Sequence, residues 1–336
     1  MNQPARILVI QTAFIGDVIL ATALLETLHY TFPDAKLDFL VRRGNESLLS
    51  HHPFLNDILI WNKKAPGFLG KHRSLWPLLN TIRSRRYDAV LNLQRYGATG
   101  LLTAFSGARQ TIGFDKNPVS WLFTHRVPHR FEPGVHEVDR NAALLGPLTT
   151  PNRSVNRPKL YPSAADVARV GPYQLEPYVC IAPTSVWFTK QFPGNQWADL
   201  INILPDSQTV YLLGAPTDEI ACEAIRQQTT APNRVVNLAG KLTLLESAAL
   251  MAGAVMNYVN DSAPMHIASA MNAPTTAVFC STVPEFGYGP LSDNSRVVQT
   301  PVPLDCRPCG LHGHQACPLG HFRCATEIKT GQLLIA

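Results

Sequence analysis

The sequence predicts an α/β protein built from two doubly wound, Rossmann-like domains. Its 336 residues suggest two domains, since roughly 150 residues per domain is usual. Short apolar runs alternate with amphipathic stretches in both halves, which is the pattern of parallel sheets covered by helices. Six prolines fall between Pro147 and Pro177, and this density is typical of an interdomain linker.

The alternation of apolar and amphipathic segments places the elements. In the first half, helices are predicted at Val18–Tyr30 and Leu75–Arg85. The strands predicted there are Ile7–Ile10, Leu37–Val41, Ile58–Trp61, Ala89–Leu93 and Gln110–Gly113. Those of the second half are Tyr178–Ala182, Thr209–Leu213, Val235–Asn237, Ala254–Val259 and Thr275–Phe279.

The predicted domains are residues 1–150, a Pro-rich linker at 151–177, and residues 178–336 with a Cys-rich tail. Ligands of open parallel sheets bind at the carboxyl ends of the strands. Two such domains facing each other would hold a ligand in a central cleft. That is the GT-B arrangement, and other two-lobed folds fit these observations as well.

Composition and charge exclude several classes of protein. Hydrophobic residues make up 46% of the chain, which argues against disorder, and no apolar run is long enough for a spanning helix. Residues 1–150 carry 17 Lys+Arg against 11 Asp+Glu, and the remainder carries 12 against 13. The basic excess, which includes Arg42, Arg43, Arg83, Arg85 and Arg86, indicates either an anionic partner or a solvated surface. No nucleic-acid motif is present.

The apolar N-terminal segment resembles a signal sequence at first sight, since Ala21-Thr22-Ala23 has the form of a cleavage site. Asp17, however, lies in the middle of the apolar stretch, where a signal sequence tolerates charge poorly. A buried strand, a glycine turn and a helix explain every residue of the segment. We therefore expect a cytoplasmic protein with reduced thiols.

Asp17 follows Gly16 at the predicted turn from strand to helix. At this position the carboxylate can cap the helix and interact with its dipole. It can also serve as a general base if it faces a ligand cleft. A Gly-x-Gly-x-x-Gly fingerprint is missing from this turn, so a dehydrogenase with a dinucleotide site is poorly supported.

A second motif follows the apolar segment Ala254–Val259. Asp261 or Ser262 can cap a helix that continues through Ala263 and His266. The free N–H groups at such a helix start suit a diphosphate, to which His266 could also donate. The alternative is a well-capped helix with a packed histidine.

The third motif is the loop after Tyr178–Ala182, which contains Thr184, Ser185 and Lys190. Two hydroxyls and one ammonium suit a phosphate leaving group, because they supply hydrogen-bond donors and a positive charge. Loops of this composition are common, and the signal gains weight because Asp261 lies in the same half of the chain.

Over nearly its whole length the sequence resembles glycosyltransferase family 9, the ADP-heptose:lipopolysaccharide heptosyltransferases. The resemblance rests on the order and spacing of four segments: ILVIQTAFIGDVILATALL, TSVWFTKQFPGNQWADLI, LAGKLTLLESAALMAGA and NDSAPMHIASAMNAPTTAVF. It implies a GT-B fold and an inverting transfer. The roles it implies are catalytic base for Asp17, phosphate binding for Lys190, diphosphate binding for Asp261, Ser262 and His266, and a position near adenine for Leu242 and Thr243.

Two residues depart from the family pattern. Ala263 stands where a glycine usually follows the serine, and it would crowd a phosphate oxygen. Phe192 replaces the aromatic residue, usually Trp, that follows the lysine. These departures keep open a GT-B transferase that uses another nucleotide sugar. A nucleotide-sugar-binding protein without turnover is the alternative from another class, and the intact Asp17 and Lys190 argue against it.

The resemblance also implies the partners. The donor would be ADP-heptose, and the acceptor would be the anionic inner core of lipopolysaccharide carried on lipid A, which agrees with the basic first half. No cofactor is required by this chemistry. A lipid acceptor is compatible with a peripheral contact at the cytoplasmic face of the inner membrane.

Four cysteines lie near the end of the chain, at Cys306, Cys309, Cys317 and Cys324. A Cys-x-x-Cys pair with two further cysteines raises structural zinc as a hypothesis. Reduced packed thiols and disulfides are the alternatives. Some family members have a similar tail, although the family is not known to need zinc.

Overall fold

The computed structural model describes residues 3–63, 68–149 and 156–334, with the backbone alone for residues 68–74. The chain divides into two units, Met1–Tyr161 and Pro162–Ala336. The first residues of the predicted linker, 151–155, lie outside the described residues. The division falls inside the predicted linker, and residues 162–177 belong to the second unit.

Unit 1 contains a six-stranded parallel sheet in the order β3-β2-β1-β4-β5-β6. Its strands are β1 (Arg6–Ile10), β2 (Lys36–Arg42), β3 (Leu55–Trp61), β4 (Ala89–Asn92), β5 (Gln110–Phe114) and β6 (His125–Val127). Its described helices are α1 (Ile15–Thr31), α2 (Phe68–Ser84), α3 (Gly97–Ala104) and α4 (Glu137–Ala142).

Unit 2 contains a second six-stranded parallel sheet, in the order β12-β11-β10-β7-β8-β9. Its strands are β7 (Tyr178–Ala182), β8 (Thr209–Leu212), β9 (Val235–Asn237), β10 (Met256–Asn260), β11 (Thr275–Phe279) and β12 (Ser295–Gln299). Its described helices are α5 (Ala164–Val170), α6 (Gly194–Ile203), α7 (Glu219–Gln228), α8 (Leu244–Ala252), α9 (Ala263–Ala270) and α10 (Arg323–Thr326).

The central strands are apolar along their whole length because both of their faces are covered. Ile7–Ile10 of β1 and most of β7 are fully buried, as expected of parallel strands between two helical layers. In unit 1 the residues Trp61, Ile82 and Tyr87 belong to the core under α2 and α3. In unit 2, Phe192 and Trp197 pack edge to face at 5.0 Å between ring centres. Each sheet thus gives firm support to the loops at the ends of its strands.

Ten of the twelve described strands were predicted from the sequence, including the edge strands β3 and β9, whereas β6 and β12 were not. These two lie at sheet edges and are short or polar, so they lack the apolar run that marked the others. Helix α5 was not predicted either; it begins with a reciprocal capping box between Ser163 and Asp166 and packs against α8. The Pro-rich stretch is therefore part of unit 2 after Tyr161, and not wholly a linker.

A buried carboxylate fastens the first strands of unit 1. Asp38 accepts hydrogen bonds from Tyr87 Oη (2.6 Å), Asn56 Nδ2 (2.7 Å) and the guanidinium groups of Arg6 and Arg85 (2.9 Å each). Burial opposes ionisation, but these hydrogen bonds outweigh it and lower the pKa of Asp38. Part of the basic excess of the first half is therefore structural. Among the described residues, no helix is both long and apolar enough to cross a bilayer.

Candidate functional site

The loops that follow β7, β10 and β11 in unit 2 meet at one ion pair. Lys190 Nζ lies 2.7 Å from Asp261 Oδ2, and the Thr282 hydroxyl donates to the same oxygen at 2.6 Å. Both charged side chains are mostly buried, with 14% and 8% of their surface exposed. Since β7 and β10 are neighbours, the ion pair lies at the point where the strand order of the sheet reverses. This is where doubly wound sheets bind their ligands.

Asn260 fixes the loop that carries Lys190. This buried side chain accepts a hydrogen bond from Phe192 N (2.9 Å) through Oδ1 and donates to Pro183 O (2.8 Å) through Nδ2. One amide thereby joins the beginning and the end of the loop to the end of β10. Asn260 was not among the residues predicted from the sequence, although an asparagine at the end of an apolar strand, directly before a candidate site aspartate, is a usable signal.

Helix α9 starts directly beside the ion pair. Ser262 is its N-cap residue, but the hydroxyl makes no capping hydrogen bond and lies 3.4 Å from Asn260 O. Ala263 and Pro264 form the start of the helix, and His266 is buried one turn further on. The first turn of α9 therefore has no side-chain cap, Pro264 has no N–H, and Met265 N donates to Ser262 O at 3.1 Å.

The Cys-rich tail contributes to the same region of unit 2. His314 N donates to Thr189 Oγ1 at 2.7 Å, and Thr189 N donates to His314 O at 3.1 Å. Arg307 donates to the carbonyl oxygens of Cys280 (2.7 Å) and Thr282 (2.6 Å). The tail thus holds both the Lys190 loop and the residue that bonds to Asp261. The sequence alone did not indicate this contact between the tail and the Lys190 loop.

Gly313 allows the tail to approach the Lys190 loop closely. A Cβ atom at this residue would lie 2.7 Å from Thr189 Oγ1 and 3.3 Å from Lys190 Cγ, and its φ is +75°. Both the contact and the backbone conformation favour glycine.

Asp17 lies in unit 1, in the first turn of α1 at the carboxyl end of β1. Its half-buried carboxylate accepts a hydrogen bond from Phe14 N at 3.1 Å. The capping interaction expected from the sequence is therefore present, and it orients the carboxylate near the carboxyl end of β1.

Two cations accompany the turn that precedes Asp17. The Arg42 guanidinium lies 5.0 Å above the Phe14 ring, and Lys63 Nζ donates to Thr12 O at 2.9 Å. Burial and the neighbouring Arg42 lower the pKa of Lys63 to about 8. Each cation lies over a different aromatic ring, Arg42 over Phe14 and Lys63 over Trp61, and two positive charges at one turn can attract an anionic ligand.

The family model described as glycosyltransferase family 9 (heptosyltransferase) matches residues 75–315. The chain belongs to this family. Lipopolysaccharide heptosyltransferase 3 of Escherichia coli strain K12 is 31% identical over 283 residues, which cover 80% of this chain and 80% of the relative.

Solved structures show that this family 9 member has the GT-B fold expected from its sequence. The structure titled "E. coli ADP-heptose lps heptosyltransferase II" matches with a TM-score of 0.79 and 24% identity, covering 98% of this chain and 96% of that chain. A family 9 glycosyltransferase from Veillonella parvula matches with a TM-score of 0.83 and 19% identity, covering 98% and 95%.

The other residues predicted for this glycosyltransferase have varied surroundings. Thr184 and Ser185 are half-buried in the loop after β7, and Ser185 O accepts a hydrogen bond from Gln191 Nε2 at 2.7 Å. Thr243 is the N-cap of α8, where it accepts from Glu246 N at 3.1 Å and Glu246 accepts from Thr243 N at 2.7 Å. Its hydroxyl therefore has a structural role in the helix, and the half-buried Leu242 precedes it. Their position near adenine stays a prediction.

The four tail cysteines of this glycosyltransferase line one cavity of about 60 Å³. Backbone N–H groups of residues 319–322 outweigh the effect of burial and lower the pKa of Cys317, whereas burial raises the pKa of Cys324 to about 11. All seven cysteines are free. Across residues 3–63, 68–149 and 156–334, no three His, Cys, Asp or Glu side chains are arranged to hold a metal ion. Structural zinc at these cysteines stays a prediction.

Proposed function

We propose that this glycosyltransferase moves heptose from ADP-heptose to the inner core of lipopolysaccharide, with inversion at the anomeric carbon. The observation that carries the proposal is the Lys190–Asp261 ion pair at the start of α9. It provides a cation and a helix N-terminus at one point, which is what a departing diphosphate needs. The names of the relatives support heptose and lipopolysaccharide as the two substrates.

In this proposal Lys190 and the first turn of α9 stabilise the negative charge that grows on ADP as it leaves. Asp261 is a positioning residue, because its carboxylate would repel a diphosphate but holds the Lys190 ammonium at 2.7 Å. Thr282 and the tail keep that carboxylate in place. Thr184, Ser185 and His266 would add hydrogen-bond donors to the phosphates, and Leu242 and Thr243 would lie near the adenine.

Unit 1 would bind the acceptor. A sugar hydroxyl attacks the anomeric carbon of the heptose, the bond from that carbon to the diphosphate oxygen breaks, and the hydroxyl proton passes to the Asp17 carboxylate. The products are the extended core and ADP. Arg42 and Lys63 would attract the anionic acceptor to the turn that carries Asp17. Asp17 accepts the proton, and Lys190 with the first turn of α9 stabilises the negative charge on ADP. The proposed reaction therefore requires no cofactor.

The proposed acceptor is anchored in a membrane by lipid A, and the donor is a water-soluble nucleotide sugar. We therefore assign the enzyme to the cytoplasm, with peripheral contact at the inner membrane. The cysteine cluster has no part in the proposed chemistry. Near-stoichiometric zinc in the purified protein would support the structural-zinc hypothesis, and folded protein free of metal by elemental analysis would rule it out.

Thermal unfolding with ADP, UDP, GDP, CMP and NAD tests the donor class. We expect stabilisation by ADP alone, because a ligand that binds only the folded state raises the melting temperature. A preference for UDP or GDP would replace ADP-heptose with another nucleotide sugar and implicate Ala263 in the change. Stabilisation by ADP without transfer to a lipopolysaccharide core acceptor would favour a binding protein without turnover.

A further inference from the structure

The helical layer over one face of the unit 1 sheet has an unusual outer surface. This layer consists of α2, α3 and the short 3₁₀ turn Ser120–Leu122, with α3 packed against both of the others. Its inner side chains, among them Ile82 and Leu102, are buried in the core of unit 1. The outer side is also rich in large apolar residues, which nothing in the proposed reaction explains.

Four aromatic side chains of this layer are exposed. They are Trp76 (65%), Tyr96 (65%), Phe105 (52%) and Trp121 (70%). Leu101 and Leu122 are exposed as well, and together these six residues are called the aromatic face. Leu101 lies in α3 and Phe105, its C-cap residue, follows four positions later, so the two side chains point to the same side of the helix.

The charges around the aromatic face are almost all positive. Residues 75–131 contain eight Lys+Arg and two Asp+Glu. Both acids serve the fold: Asp88 accepts from the backbone N of Ala5 at 2.9 Å, and Asp115 accepts from His129 N at 2.9 Å. The exposed cations of this stretch are Arg83, Arg86, Arg95, Arg109, Lys116, Arg126 and Arg130. Two of them have an acidic neighbour at 3.5 Å, Asp88 for Arg109 and Glu132 for Arg130.

We propose that the aromatic face docks on the surface of an anionic lipid bilayer. Trp and Tyr are favoured at the boundary between lipid and water, because their rings are apolar and their N–H and O–H groups stay hydrated. Lys and Arg beside them are attracted to anionic headgroups. This inference is drawn from the residues of the aromatic face. It rests on the proposed function only in explaining why the enzyme would bind a membrane.

A second copy of the chain is a poorer partner for this face. Pairing the face with itself would bring two cationic surfaces together, and their repulsion opposes association. An anionic bilayer has the opposite charge and accepts aromatic side chains without a matching protein surface. Charge complementarity therefore favours the bilayer.

Co-sedimentation with lipid vesicles tests the proposal without any substrate. The wild-type chain is mixed with phosphatidylcholine vesicles and with vesicles that also contain phosphatidylglycerol. We expect binding to the anionic vesicles only, weakening as salt rises. The Phe105→Ser/Trp121→Ser and Lys116→Glu/Arg126→Glu double variants should each bind about tenfold or more weakly.

Matched controls come from unit 2, where Ile220 is 84% exposed and Arg169 is also exposed. Ile220→Ser and Arg169→Glu should bind vesicles as the wild-type chain does. All variants should keep the wild-type melting temperature and its shift with ADP, which separates loss of docking from misfolding and from a wrong donor. Equal vesicle binding by the face variants, or no binding at low salt, would overturn the proposal. So would a dimer in light scattering that the face variants abolish, since the face would then bind a second copy.

Discussion

In each unit the first and fourth strands lie side by side at the centre of the sheet, β1 beside β4 and β7 beside β10. Both sheets have the same strand order when their strands are counted from the start of each unit. The loops after these central strands carry different groups. In unit 2 they bring a lysine and an aspartate within 2.7 Å of each other. In unit 1 they bring together the neutral side chains of Gln11, Thr12 and Gln94.

The two sheets have the same topology, so the chemical difference between the two units comes from the side chains of these loops. A buried ion pair beside a helix start suits a ligand that gains negative charge during the reaction. The hydrogen-bonded side chains of Gln11, Thr12 and Gln94 support the turn that precedes Asp17. These three side chains are neutral, so they place no positive charge beside the Asp17 carboxylate. We infer that unit 2 is built to stabilise a leaving group and unit 1 to hold a base.

The largest effect should come from the base. Asp17→Asn removes the proton acceptor but keeps the shape of the side chain, so transfer should fall about 10²–10⁴-fold. Initial rates of ADP release in the presence of acceptor measure this loss. Full activity in the variant would show that another group takes the proton.

The next effect should come from the leaving-group side. Lys190→Ala should lower kcat about 10²–10³-fold, because the charge on the departing diphosphate would lose its cation. Lys329→Ala, at an exposed lysine of the same unit, serves as the control and should leave kcat unchanged. An equal loss in both variants would point to overall charge rather than to the ion pair.

Asn260→Ala should reduce the stability of unit 2. The substitution leaves Phe192 N and Pro183 O without their buried partner, at roughly 1–3 kcal/mol for each unsatisfied group. Denaturant unfolding should show this decrease, together with weaker ADP binding because the Lys190 loop is released. Unchanged stability would mean that the loop is held mainly by the tail.

Acid should weaken unit 1 through Asp38. A carboxyl whose folded-state pKa is lowered contributes stability above its unfolded pKa of 3.8, and this contribution is lost as the pH falls through the lower folded-state pKa. The protection factors of the β1 and β2 amides, which are corrected for the intrinsic exchange rate at each pH, should therefore fall below about pH 4 in the wild-type chain. The Asp38→Asn variant should be less stable at neutral pH and should lack that acid-dependent step.

The smallest effect concerns acceptor binding. Lys63 has a pKa lowered to about 8, so its charge is lost as the pH rises through that value. The kcat/KM for an anionic acceptor should fall a few-fold above about pH 8. Lys63→Arg keeps the charge at high pH and should remove this decline, and a decline that persists would assign it to another group.

The sequence predicted most of the fold because its central strands are continuous apolar runs. It did not predict β6 and β12, since β6 has only three residues and β12 carries polar residues at both ends, whereas the edge strands β3 and β9 have enough apolar residues to be recognised. It singled out Lys190 and Asp261 separately, and their contact depends on β7 lying beside β10. Asn260 and Gly313 were missed for the same reason. The hydrogen-bond partners of Asn260 lie 68 or more residues away along the chain, and Gly313 of the tail approaches Thr189 in the loop after β7.

The most direct test compares ADP binding in two variants by titration calorimetry. Asp17→Asn should bind ADP as tightly as the wild-type chain, and Lys190→Ala should bind it at least about tenfold more weakly. That outcome would support separate roles for the two units, with the base in unit 1 and the diphosphate site in unit 2. Weakened ADP binding in Asp17→Asn, with unchanged binding in Lys190→Ala, would contradict it.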